Sequence, residues 1–145
     1  MSQHSLNEYA TLANQGLLRL DQLFQKSEEL QNMGLVQEAL ALYRLWLENT
    51  QDTNRYIALF NYGSLLQSNG DLKEALVIYR ECIQEHPQLA QATINLGLIL
   101  EKTGQQDEAI AQWLRLIEPK NAQTTNDPAM LVMALNHIGR VYENK

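Results

Sequence analysis

The sequence predicts an all-α fold, an α-solenoid in which antiparallel helix pairs stack one against the next. Three observations predict it. "NYGSLLQSNGDLKEAL", beginning at Asn61, returns as "NLGLILEKTGQQDEAI", beginning at Asn95, 34 residues later. The same offset links Gly63 to Gly97, Gly70 to Gly104, Ala75 to Ala109 and Tyr79 to Trp113. A fixed offset kept across several residue types marks an internal repeat. Within each copy the apolar residues follow a helical period: Ala58, Leu59, Tyr62, Leu65 and Leu66, then Leu72, Ala75, Leu76, Tyr79, Cys82 and Ile83. A glycine separates the two stripes of each copy, at Gly70 and Gly104. Glycine enters the left-handed conformation that ends a helix without steric cost.

The elements follow in order. Residues 5–15 read as a short extra helix. A more degenerate hairpin comes next, with helices over about 17–32 and 35–49. Gly34, Ala39 and Tyr43 there keep the spacing of Gly70, Ala75 and Tyr79, but the connector "ENTQDTN" carries two extra residues. Trp46 takes the slot of Cys82 and Leu116, and the extra helix is expected to cover its larger side chain. The second hairpin spans 54–69 and 71–85, with Asp71 and Glu74 spaced as a capping box. The third spans 88–103 and 105–118. The repeat units are therefore 17–53, 54–87 and 88–121. "EPKNAQTTND" then breaks the pattern with a polar, turn-rich run. Asp127 caps a new helix with Pro128 at its first position. "ALNHIGRVYE" restores the first-helix pattern, and Gly139 stands in the place of Gly97 after an eight-residue insertion. Residues 128–145 read as the first helix of an incomplete fourth unit. A lone first helix cannot bury its apolar face, so the expectation is a piece of a longer protein, or a second chain covering that face.

Composition excludes several functions. Apolar residues make up 45% of the 145 and charged residues 19%, as in a globular chain. The formal charge is −6 and the 11 Lys and Arg residues are scattered, which argues against nucleic acid as a partner. No apolar run approaches the length of a membrane span. The first residues lack the charged-then-apolar layout of a signal peptide, so a cytoplasmic place is the simplest reading. The single cysteine, Cys82, has no internal disulfide partner and sits on the core stripe, where it reads as a small buried hydrophobe. His4, His86 and His137 share no metal-ligand spacing. Glu28, Glu29, Asp107 and Glu108 read as helix-surface charge. No cofactor is expected and no catalytic constellation is visible.

These residues resemble the tetratricopeptide repeat, a 34-residue helix-turn-helix with small residues at helix contacts, aromatics between them and a closing proline. Tyr62, Gly63, Gly70, Ala75, Tyr79 and Pro87 match in one unit, and Leu96, Gly97, Gly104, Ala109 and Trp113 in the next. Two positions depart: Ser27 stands where Gly63 would, and Asn121 where Pro87 would. The resemblance covers roughly residues 17–145. It implies a right-handed superhelix whose first helices line a concave groove, and a protein–protein interaction module that binds an extended polypeptide there.

In the family's geometry a second stripe on each first helix faces that groove. Its members are Ile57, Asn61, Ser64 and Ser68; then Gln91, Asn95, Leu98 and Lys102; then Met133, His137, Arg140 and Asn144. The binding candidates are Asn61, Ser64, Gln91, Asn95, Leu98, His137 and Arg140. A side-chain amide both donates and accepts, so Asn61 and Asn95 suit the backbone of a peptide of any sequence. The simpler reading gives both asparagines a packing role, and His137 a plain solvent-facing one. Chaperone-binding repeats clamp a terminal carboxylate with groove cations. Here Phe24, Gln91 and Asn95 stand at those positions, so that clamp is excluded. "PKNAQTTNDPAMLVMALNHIGRVYE" is similar to the last repeats before the catalytic region of bacterial SPINDLY-like O-linked glycosyltransferases. That implies an acceptor-binding region of a larger N-acetylglucosamine transferase-like enzyme, with no catalytic residue in this chain. A structural role, with homodimerisation through the last helix, is the remaining alternative.

Overall fold

The computed structural model describes residues 3–121 and 123–144, with side chains from residue 6 onward. The chain's end residues, Ala122 and the His4 side chain, including its place in the histidine comparison, lie outside that description. Among the described residues there are eight helices and no strand. They are α1 (Gln3–Asn14), α2 (Leu20–Asn32), α3 (Val36–Asn49), α4 (Arg55–Ser68), α5 (Leu72–Glu85), α6 (Ala90–Lys102), α7 (Gln106–Ile117) and α8 (Pro128–Glu143). They divide into two compact units, residues 1–70 and 71–145.

In the first unit α3 packs against α1, α2 and α4. Leu23, Leu30, Ala39, Leu40, Trp46, Ala58, Leu59 and Leu66 are fully buried. Trp46 is fully buried, and α1 packs on the helix that carries it. Its Nε1–H donates to the Leu18 carbonyl at 2.8 Å. This bond explains one difference from the sequence reading. The helix expected from residue 17 begins at Leu20, because Leu18 lies in the non-helical connector and offers its carbonyl to the indole. Arg19 then closes the start, its N–H donating to Gln22 Oε1 at 3.0 Å. Lys26 is buried on α2, with Nζ 3.1 Å from Glu29 and 4.5 Å from the centre of the Tyr9 ring. Apolar periodicity gave no sign of this lysine.

In the second unit α6 packs against α5 and α7, and α8 packs against α7 and α6. Ala75, Tyr79, Cys82, Ala92, Ile94, Leu100, Ala109, Trp113 and Leu116 form its core. Burial, with Glu85 and Glu81 adding to it, pushes the Cys82 thiol up to about 12. The sulfur is a core atom, not a nucleophile.

The turn glycines Gly34, Gly70 and Gly104 all adopt positive φ, between 76° and 86°. After two of them the chain returns a backbone bond to the preceding helix, Leu35 to Leu30 at 2.8 Å and Gln105 to Leu100 at 2.7 Å. Gly16 ends α1 by the same device, with φ of 72° and Leu17 bonded to Leu12 at 2.8 Å. The capping box expected at Asp71 does not form. Asp71 is the N-cap of α5, but its ψ of 66° departs from the extended geometry that aims a carboxylate at the first turn, and its side chain makes no cap hydrogen bond. Asp127 has that geometry, with ψ of 114°, and accepts from the Ala129 N–H at 3.0 Å, while Pro128 opens α8.

Candidate functional site

Each candidate residue lies on a helix that the repeat pattern builds. Three of them, Asn61, Asn95 and His137, meet an aromatic residue from the helix before their own. In the first unit the buried Tyr43 of α3 hydrogen-bonds with Asn61 of α4 and Ser27 of α2. Burial raises the phenol above its ordinary value and the two bonds pull it back. Ser27, the departure from the expected glycine, is thus a buried partner of Tyr43. The Tyr43 and Tyr62 rings stack with centres 5.7 Å apart, and Arg44 Nε donates to the Tyr62 hydroxyl at 2.7 Å. Asn61 and Ser64 line a cavity of about 410 Å³ together with Phe24, Glu28, Gln31 and Ser68.

The second unit repeats the arrangement. Asn95 Nδ2 donates to the Tyr79 hydroxyl at 3.1 Å, and Gln91 Nε2 donates to Asn95 Oδ1 at 2.8 Å. Both ends of the Asn95 amide are therefore engaged. At the next position Trp113 replaces the tyrosine. An indole has no hydroxyl to bond an amide, and the residue facing it is His137, stacked with ring centres 5.2 Å apart. Trp113 Nε1 instead donates to the Ile94 carbonyl at 3.2 Å.

Arg140 ties α8 to α6. Its Nη2 donates to Glu101 Oε1 at 2.8 Å, and its Nη1 to Glu101 Oε2, a two-bond fork. The Arg140 guanidinium holds the Glu101 carboxyl below its usual range, and Glu101 raises Arg140. Nη2 also stands 3.1 Å from His137 Nδ1. Burial first, then the Arg140 charge, hold His137 below its ordinary value, with Glu101 opposing. The plain solvent-facing reading of His137 is thus corrected: it is half-buried between an indole and an ion pair. The expected surface charges also have partners, Glu108 with Arg80 at 2.6 Å and Glu29 with Lys26.

The structure thus gathers Asn61 and Ser64 in the first unit. In the second it bonds Gln91 to Asn95 and sets His137 beside Arg140, while Leu98 lies half-buried on α6. Sequence reasoning did not foresee that Tyr43 and Tyr79 bond the asparagines, nor the roles of Glu101 and Trp113. A signal existed. Tyr43 precedes Asn61 by 18 residues, Tyr79 precedes Asn95 by 16, and Trp113 precedes His137 by 24. The differences match the two-residue connector extension and the eight-residue insertion.

Among the described residues no group of three or more His, Cys, Asp or Glu could hold a metal ion, and no helix is long and apolar enough to cross a membrane. The tetratricopeptide-repeat family model matches residues 66–133. No curated protein matches the chain. Among solved structures, one titled "Crystal structure of MamA" is similar with a TM-score of 0.71 at 21% identity, over 97% of this chain and 76% of that one. A second, "Crystal structure of MamA protein", gives 0.69 at 19% identity, over 96% and 70%.

Proposed function

We propose that this chain, in which the tetratricopeptide-repeat model matches residues 66–133, is a non-catalytic module that binds an extended polypeptide along the polar stripes of its first helices. The observation that carries this reading is the first-unit cavity, where Asn61 and Ser64 join Gln31 and Ser68 in offering amide and hydroxyl groups. Such groups pair with a peptide backbone whatever its sequence. Gln91, Asn95 and Leu98, with His137 and Arg140, are the contacts proposed on the second unit. Asn61 and Asn95 are already bonded to tyrosines. Each therefore serves packing, and contacts a peptide through its remaining hydrogen-bonding capacity.

A selection of random peptides on the immobilised chain tests this. Peptides enriched on the wild type are expected to bind an Asn61→Ala, Asn95→Ala variant of unchanged helicity roughly thirtyfold more weakly, about 1 kcal/mol being lost per hydrogen bond. No enrichment, or equal affinity for the two proteins, would overturn the reading.

A second reading is favoured by α8. Val132, Leu135 and Tyr142 are more than half exposed there, and a Cβ added at Gly139 would meet nothing within 4 Å. That surface suits a second copy of the chain, and concentration-dependent mass in analytical ultracentrifugation tests it. The glycosyltransferase reading makes the same stripes the acceptor-binding part of a larger enzyme. It rests on the likeness of residues 119–143 alone, and its test is the coding sequence of the parent protein.

A further inference from the structure

The first-unit cavity also shows which kind of residue a bound polypeptide would place in it. Its volume of about 410 Å³ falls within the range of small-ligand sites. One lining residue, Glu28, carries a carboxylate, and it stands exposed to solvent. None is Lys, Arg or His. Gln31, Asn61, Ser64 and Ser68 supply oxygen acceptors, and Phe24 supplies a half-buried aromatic ring. A carboxylate ligand would find no counter-charge here and would face Glu28. An apolar side chain would strip water from the amides and hydroxyls without replacing their hydrogen bonds. A cationic side chain meets all three features: a carboxylate, acceptors for its N–H groups, and an aromatic face. The net charge of −6 adds a long-range attraction for cations.

We propose that this cavity is a specificity pocket for an arginine or lysine side chain of the bound polypeptide, arginine being preferred. The preference follows from the guanidinium, which is planar, stacks on rings and forks its donors among several acceptors. The proposal rests on the polypeptide-binding reading and names the residue that the first unit selects.

The test uses the isotope-labelled full chain, titrated in separate NMR experiments with three amides: N-acetyl-arginine amide, its neutral isostere N-acetyl-citrulline amide, and N-acetyl-glutamate amide. The arginine probe is expected to shift the backbone resonances of Glu28, Ser64 and Ser68, with citrulline weaker and glutamate inactive. Glu28→Gln, at an exposed position, should cost the arginine probe roughly fivefold in affinity and bring it level with citrulline, the worth of one partly exposed ion pair. Ser68→Lys, which tethers a cation at the cavity, should abolish the arginine response. Equal responses to arginine and citrulline in the wild type, or no arginine response at the cavity, would overturn the proposal. Selected peptides that bind tightly yet lack Arg and Lys would overturn it while leaving the polypeptide-binding reading intact. Failure to select any peptide would instead strike that reading itself.

Discussion

Helices α6 and α8 carry a glycine at the same position of the repeat, and its surroundings differ completely. A Cβ added at Gly97 would fall 2.2 Å from Trp113 Nε1 and 2.8 Å from the ring's Cζ2. Trp113 is fully buried and bonded to the Ile94 carbonyl, so it has no room to retreat. A Cβ added at Gly139 would meet nothing within 4 Å. On α6 the glycine is imposed by the indole across from it. On α8 it only costs helix stability, about 0.5–1 kcal/mol relative to alanine. A repeated residue is thus legible from sequence. Its energetic meaning depends on the side chain that stands opposite.

The largest expected effect tests the α6 half of this contrast. Gly97→Ala should destabilise the chain by about 3 kcal/mol through overpacking, read as a lower urea midpoint. In a Trp113→Leu background the same alanine should cost less than about 1 kcal/mol, because the two sites are directly coupled. An unchanged cost in that background would show that the indole is not the obstacle.

Next comes the polar bond beside it. Asn95→Ala and Tyr79→Phe should each cost about 1 kcal/mol, and the double variant less than their sum, since both remove one hydrogen bond. Full additivity in the same urea assay would show that Asn95 and Tyr79 are energetically independent.

Gly139→Ala should raise stability by about 0.5–1 kcal/mol, seen as a higher thermal midpoint at low protein concentration. A lower midpoint would break the contrast, because it would require a close neighbour over Gly139.

The smallest effect concerns His137. Its pKa is held below the ordinary value, so the unfolded chain takes up a proton first on acidification. Its contribution to stability is therefore complete above about pH 6.5, declines as pH falls below that value, and levels off below the depressed folded value. Glu101, also held low, adds a second decline at more acid pH. A His137→Gln variant should show a flatter stability profile between about pH 7 and 5. An unchanged slope would mean that His137 is not the titrating group.

Much of the fold was legible because helix pairs are specified locally. Apolar period, turn glycines and the Asp127–Pro128 start each act within a few residues, and each appears in the structure. The start of α2 was misplaced because its cause is distant in the sequence: Trp46 claims the carbonyl of Leu18, 28 residues away. The missing cap at Asp71 turns on a backbone angle that residue identity does not set. The candidate stripe was legible as positions on helices, but its bonding was not. Whether an asparagine amide is engaged depends on the hydroxyl brought to it by the preceding helix, and in the sequence Tyr43 and Tyr79 are visible only as aromatics at matching repeat spacing.

The account's central claim is that the polar stripes of the first helices contact a polypeptide. The most direct measurement follows the side-chain amide resonances of Asn61, Gln91 and Asn95 during titration with a selected peptide. The account predicts that the Asn61 and Asn95 amide signals shift with the same saturation as binding. A peptide that binds while those signals stay fixed, and that shifts resonances of the second helices α3, α5 and α7 instead, would contradict it.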